Sequence, residues 1–570
     1  MDSDVAEEPA MPNDDETART APFQTHEVRN QAQPLEDYNP LLADRALVEG
    51  VEREGGGWIL ERAAAFGRTA GAAETIRLGF LADRNPPELH THDRYGHRID
   101  EVEFHPAWHQ LMALGIEGDV HALPWNETRS GAHVARAALY FPFIQVNEGP
   151  ACPITMTFAA IPALRQLPEL AAEWEPRILA RTYDPKLRPA ASKAGVLIGM
   201  AMTEKQGGSD VRANTSQARP TGNGGPGGAY AIVGHKWFCS APMCDAFLVL
   251  AQAPGGLSCF FVPRFTPDGE RNALHLQRLK DKLGNRSNAS SEIEFHGAYG
   301  VLVGEEGRGV ATIIEMVRHT RLDTSFGAAA MMRHAVAQAI NHASWRSAFG
   351  ARLVDQPLMA NVLADLAIES EAATALALRV ARTFDRGGDS ETEERLGRLL
   401  TPIAKYWLCK RSPAVVGEAL ECHGGNGYVE ESIMPRLYRD APLNSIWEGS
   451  GNVQCLDVLR ALSRDPEALS AYFDEAALAA GGDRRFDAWL TQCRAMASDL
   501  SGFEPRARTI VERLALLMQG SLLVRHAPAA VADAFCASRL GGDHGAAFGT
   551  LPAGGDHRAI IERASPLQAA

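Results

Sequence analysis

The stretch ECHGGNGYVEESIMPRLYRD, residues 421–440, with NSIWEGSGNVQCLDVLR, residues 444–460, close behind it, is the most informative part of this sequence. Its spacing carries the information. Glu421, Gly424, Gly425, Gly427, Glu431, Arg436 and Asp440 fall on one pattern, and Glu448 follows in the turn WEGSG. Taken alone, a glutamate ahead of a glycine reads as a solvated turn acid.

Upstream of this stretch, residues 308–462 show long helical periodicity, as in GVATIIEMVRHTRLDTSFGAAAMMRHAVAQAINHASWR. Helices of that length pack as an antiparallel bundle. Further upstream, residues 195–307 are built of short β-branched or aromatic runs divided by Gly, Pro and Asn (VLIGMAM, AYAIVGHKWF, AFLVLAQA, LSCFFVP, SEIEF), the pattern of a small barrel or sandwich. Residues 25–194 form a mostly helical block, interrupted by a Pro- and His-rich loop from Asn85 to Pro106. Residues 1–24 are acidic and without apolar periodicity, so a disordered tail is expected. Residues 463–570 are Ala- and Arg-rich, prone to helix and free of a recognisable motif.

Two further strings sit in the β-rich part. AMTEKQGGSDVRA, residues 201–213, places adjacent glycines among hydroxyl and acid side chains after an apolar strand, a loop whose amides can approach a flat or anionic ligand. The bland reading is a tight turn. GHKWFCS, residues 234–240, sets Trp237 and Phe238 beside Ser240 at a strand end, where they could bracket an aromatic cofactor or simply pack in the core.

Taken together and in this order, these motifs resemble the two signatures of the acyl-CoA dehydrogenases. Within that superfamily MTEKQGGSD, GHKWF, GGLSCFFVPR, RLKDKLGNRSNAS and NSIWEGSGN are most similar to the AidB-like branch, the alkylation adaptive-response flavoproteins. The resemblance covers residues 22–465 and thins beyond 470. It implies an α+β, mostly α fold: an N-terminal helical domain, a central β-domain and a four-helix bundle, here with a helical C-terminal extension. It also implies FAD held between β-domain and bundle, and Glu448 as the base that removes an α-proton while a hydride leaves the β-carbon for flavin N5.

By motif matching, Met202, Thr203, Gly208 and Ser209 are cofactor residues on the glycine loop, and Phe238 and Ser240 lie against the flavin ring. Ile446, Trp447, Gly449 and Asn452 wrap its other side. Gly424 and Gly425 join the cofactor-binding set, and Arg346 and Phe349 in RSAFG are expected to reach the FAD of a neighbouring subunit in a homotetramer. Relatives that move the base to the helix segment reading HTRLD here leave Thr320 at that place, so Glu448 is the sole candidate. Arg321 is expected on the acyl-CoA side, or else in a helix-surface salt bridge.

The same branch implies a second function, a flavoprotein associated with double-stranded DNA that protects it from alkylation with little or no dehydrogenase turnover. Arg460, Arg506 and Arg508 are the candidate DNA contacts. Against this, residues 461–570 hold 11 Arg and no Lys against 13 Asp and Glu, and the whole chain carries a formal charge of −15, whereas phosphate-binding domains show a positive excess. No metal is expected, because His90, His92, His97, His105 and His109 match no zinc spacing and have no cysteine nearby. Nine scattered cysteines without a CxxC pair, no secretory h-region, an acid-rich N-terminus unlike a transit peptide and no long apolar run predict a cytoplasmic protein with no membrane span.

Overall fold

The computed structural model describes residues 25–498 and 502–569, so the expected tail at 1–24 lies outside the described residues. Chain order gives helices α1 (Arg45–Arg53), α2 (Leu60–Ala70) and α3 (Ala73–Arg84), strands β1 (Glu88–His92) and β2 (Arg98–Glu103), then α4 (Pro106–Glu117), α5 (Leu123–Asn126), α6 (Ala132–Val146), α7 (Glu148–Leu164) and α8 (Pro168–Ile178). The Pro- and His-rich loop is therefore mostly a β-hairpin, with Glu88 opposite Glu103 and His92 opposite Arg98. The Asp93 carboxylate closes its turn by accepting from the backbone N–H groups of Tyr95 (2.8 Å) and His97 (2.9 Å). The histidines are dispersed by this hairpin: His90 pairs with Glu103, His97 with Asp93, and His105 caps α4. No group of metal-ligating side chains forms among the described residues.

Seven strands follow: β3 (Ile198–Ala201), β4 (Gln217–Pro220), β5 (Ala229–Ser240), β6 (Ala246–Ala253), β7 (Gly256–Pro263), β8 (Leu274–Leu279) and β9 (Ser290–Val303). They close into a barrel, because β6–β4–β5–β9–β7 returns to β6, with β3 parallel to β6 and β8 added on β9. The β4–β6 seam is thin, a single parallel pair of Gln217 and Gln252. Inside the barrel Lys236 and Glu204 form a fully buried ion pair at 2.8 Å.

Helix resumes with α9 (Gly309–Trp345), buried along most of its length, followed by the small hairpin β10 (Ser347–Ala348) and β11 (Ala351–Arg352), α10 (Pro357–Arg386), α11 (Glu391–Glu421), α12 (Met434–Asp440) and α13 (Gly451–Arg464). α9, α10, α11 and α13 make the bundle, and the buried helices α6 and α7 pack against α9 from the N-terminal side. Arg136 on α6 bonds both carboxylate oxygens of Asp323 on α9, and Thr155 on α7 donates to the same carboxylate at 2.6 Å. α14 (Glu467–Ala476), α15 (Arg484–Ser498), α16 (Phe503–His526), α17 (Ala529–Phe535) and α18 (His557–Ala564) form the extension, which packs on α10, α11 and α13. Among the described residues no helix is long and apolar enough to cross a membrane.

Candidate active site

Between α12 and α13 the chain makes one 3-10 turn, Ala441–Ser445, and then the turn that carries Glu448. Glu448 has φ +58° and Gly449 +95°, a left-handed pair in which the glutamate is disfavoured by roughly 1–2 kcal/mol. Three helices hold it there. Lys405 Nζ on α11 donates to the carbonyls of Trp447 (2.7 Å) and Gly449 (2.6 Å). Arg321 Nε on α9 donates to the Glu448 carbonyl (3.1 Å), and Gln454 Nε2 on α13 donates to those of Glu448 (2.9 Å) and Gly449 (3.1 Å). Every carbonyl of Trp447–Glu448–Gly449 is thus captured by a side chain, and backbone groups so captured cannot relax by turning to water.

The Glu448 side chain is set inward. Its Oε2 is buried and, among the described residues, has no hydrogen-bond partner, although the residue as a whole is half-buried. Burial pushes its carboxyl above the ordinary range, opposed in turn by the Thr320 hydroxyl and by the charges of Arg321 and Lys405. Arg321 also pairs with Asp457 at 2.7 Å, so the structure places it within the scaffold of the turn.

The barrel meets this turn at α7. The thiol of Cys152, pushed up to about 11 by burial, faces Lys282, Ser240, Glu448 and Asn288, which joins the end of β5 to the Glu448 turn. Lys282 Nζ donates to the Asn288 carbonyl (2.7 Å) and to Ser290 Oγ (3.1 Å), and Ser240 Oγ lies 3.4 Å from Ser290 Oγ. Apart from the Cys152 thiol, the Asn288 amide has no partner among the described residues, and Trp447 Nε1 has none there either. One turn earlier on α7, Glu148 is held well above the carboxylate range by burial beside Asp440, itself pushed up to about 6 by burial, with Asn444 and Arg436 facing it.

The glycine loop is locked from beneath by Glu204, whose carboxylate accepts from Lys236 (2.8 Å), the Thr215 N–H (2.7 Å) and Gln206 (2.7 Å). Those bonds hold it far below the usual carboxylate range even though burial opposes them. Gly208 lies against Thr203, where a Cβ would come within 2.3 Å of Oγ1, so only glycine fits. The ladder of β5 breaks between Lys236 and Cys239, and the intervening Trp237 bonds the Thr203 carbonyl through its N–H (2.8 Å). Trp237 carries the Lys280 ammonium 3.3 Å over its ring, and Phe238 stands half-exposed beside it. Ile446 is likewise exposed on the turn side. Half-exposed apolar groups on both walls, glycine-lined backbone and buried polar atoms without partners fit a flat cofactor with a polar edge.

Arg346 and Phe349 sit elsewhere. Arg346 follows the end of α9, 25 residues beyond Arg321, about 38 Å along a helix. Phe349 is fully exposed at the tip of the β10–β11 hairpin with φ +52°. Gly424 and Gly425 are at that same end, since the His423 ring lies against that of His342 of α9, tilted by 37° with centroids 4.7 Å apart. A cavity of about 470 Å³ lined by His334, Gln338, His342 and His423 is also there, remote from Glu448. Of the arginines expected to meet DNA, Arg460 pairs with Asp457 (2.6 Å), Arg508 donates to Asn452 (2.8 Å), and Arg506 bonds the Gly502 carbonyl.

Sequence reasoning missed Lys405, Gln454 and Glu148. The available signal for Lys405 was a single lysine inside the apolar run TPIAKYWLC.

Residues 30–185 match the family model of the adaptive response protein AidB N-terminal domain, residues 199–298 that of the acyl-CoA dehydrogenase middle domain, and residues 307–463 that of the acyl-CoA dehydrogenase C-terminal domain. The chain is 50% identical over 520 residues to AidB of Escherichia coli (strain K12), which bears an acyl-CoA dehydrogenase name; the match covers 90% of this chain and 94% of that one. Among solved structures, Caenorhabditis elegans ACDH-11 in complex with C11-CoA superposes with a TM-score of 0.82 at 27% identity, covering 92% of this chain and 93% of that chain. The apo-form of Bd2924 gives 0.79 at 28% identity, covering 87% and 99%.

Proposed function

The chain belongs to the acyl-CoA dehydrogenase family, in its AidB-like branch, and from that premise we propose that it is an FAD-dependent oxidoreductase acting on an acyl-CoA, with Glu448 as the base. One observation carries the reading: a buried carboxylate oxygen without a partner, on a turn clamped from three helices, where barrel and bundle meet. Family members bind FAD, and here Met202, Thr203, Gly208, Ser209, Phe238 and Ser240 would hold it from the barrel side, with Ile446, Trp447, Gly449 and Asn452 from the bundle side. When bound, FAD supplies the acceptor for the hydride that leaves the substrate.

The protein's own part is to position and discharge a proton. Glu448 must be ionised to take the α-proton, and burial keeps its proton affinity high enough to do so at moderate pH. The clamp fixes its direction, and the Thr320 hydroxyl bonds its carboxyl. The C11-CoA held by the C. elegans relative supports an acyl-CoA as the substrate class.

Arg346 and Phe349 lie too far along α9 to serve the Glu448 of their own chain, which supports an assembly of copies, a homotetramer as in the family, where they serve a neighbour. All nine cysteines are buried thiols, which supports a cytoplasmic setting. The DNA-associated reading draws on Arg460, Arg506 and Arg508, spread over two helices and already bonded as described. Anaerobic titration of the purified protein with acyl-CoAs of short, medium and long chains tests the proposal. Bleaching of a bound flavin is expected; a colourless protein that cannot be reconstituted, or a flavin that no acyl-CoA reduces while DNA is retarded in a salt-sensitive way, overturns it.

A further inference from the structure

One arginine of the C-terminal extension touches the flavin segment. α16 lies against α13, and Arg508 Nε donates to Asn452 Oδ1 at 2.8 Å. Asn452 is the second residue of α13. Two residues on, Gln454 is fully buried; it gives its amide nitrogen to the Glu448 turn and leaves its Oε1 without a partner. From the other side, α11 brings Lys410 so close that a Cβ on Gly451 would lie 3.0 Å from its Cε. Neither Lys410 nor Arg508 forms an ion pair with a carboxylate among the described residues, in a chain whose formal charge is −15. Two exposed cations, delivered by two different helices to the start of α13, thus stand on one side of Asn452 and Gly451 and can meet an anion placed there.

We infer that Arg508 binds the diphosphate half of the FAD held at the Glu448 site, so that the extension completes the cofactor site. The inference rests on the flavin reading above. Asn452 occupies Nε and so orients the guanidinium, leaving both terminal nitrogens for oxygen acceptors, and arginine with phosphate makes paired charge-assisted hydrogen bonds. Arg508 is on this account a cofactor residue, and the extension is coupled to cofactor retention through it.

The test measures dissociation constants of FAD and of riboflavin, which has the ring but no phosphate, with the full-length apoprotein and its Arg508→Gln, Arg508→Lys and Asn452→Ala variants. Arg508→Gln is expected to weaken FAD about tenfold or more while leaving riboflavin unchanged, with Arg508→Lys recovering part of the loss and Asn452→Ala losing less than Arg508→Gln. FAD affinity within twofold of wild type in Arg508→Gln overturns the inference, and so does an equal loss for FAD and riboflavin, which reports damage to the ring site. Wild-type protein that binds neither flavin defeats the flavin reading itself, an outcome distinct from these.

Discussion

Glu448 shows how much chemistry a single position owes to groups far away in sequence. The glutamate and its turn were legible, because WEGSG and its distance from the Gly424–Gly427 cluster are local patterns. Lys405 was not, since a lysine on a long helix reads as solvent-facing and only tertiary packing turns it onto the Trp447 and Gly449 carbonyls. Lys405→Met should strip two carbonyls of their donor and lower the rate of flavin reduction by about tenfold or more. The same change should alter the pH profile. Burial raises the Glu448 pKa and the Lys405 charge opposes that rise. On the proposed mechanism Glu448 works only when ionised, so the rate climbs with pH through this pKa, and without Lys405 the acid limb should move to higher pH. Rates measured across pH check both; an unmoved acid limb would leave Lys405 with a purely structural role.

At the level of elements, the hairpin β1–β2 is a place where the sequence misled. ELHTH and RIDEVE alternate as strands should, but Pro86 and Pro87 before them and the histidines within them read as loop, and the Asp93 turn that pairs them is closed by side-chain bonds that propensity does not register. The α6–α9 contact was equally hidden: Arg136 sits in an apolar helix because Asp323 meets it there. Replacing Arg136 by Met strands a buried carboxylate, and denaturant unfolding should show a loss of about 3–5 kcal/mol; a loss under 1 kcal/mol would mean that Asp323 finds another partner. The β10–β11 hairpin is the opposite case, an element whose tip residue, Phe349, is fully exposed among the described residues. Phe349→Ser should lower the assembly state seen by light scattering, whereas an unchanged particle mass would remove the hairpin from the interface.

Across the whole molecule, the barrel, the bundle and the helical character of the extension were visible from texture, whereas the way the extension docks on the bundle was not, because ion pairs between residues far apart in sequence take part in it. Glu475 on α14 joins Arg379 of α10 and Arg525 of α16, and Arg539 joins Asp365 and Glu369 of α10. Their arginine partners hold the carboxyls of Glu369 and Glu475 down at about 2, against an ordinary value of 4.5, although burial opposes this. Because the folded pKa is depressed, the stability these groups confer is fully present above about 4.5 and is lost as pH falls through about 2. Acid titration followed by limited proteolysis should therefore release fragments of the extension as pH falls from about 4.5 toward about 2; an extension that stays protease-resistant at pH 2 would show that these pairs do not hold it in place.

The central claim is that Glu448 takes the α-proton of a bound acyl-CoA, and the most direct measurement is exchange of that proton with deuterium. FAD-loaded wild type and Glu448→Gln are incubated anaerobically in deuterium oxide with the acyl-CoA that best reduces the wild-type flavin, and label at the α-carbon of recovered acyl-CoA is read by mass spectrometry. The account predicts label with wild type and almost none with Glu448→Gln, while both variants keep their FAD. Equal labelling by the two proteins would place the base elsewhere and contradict it.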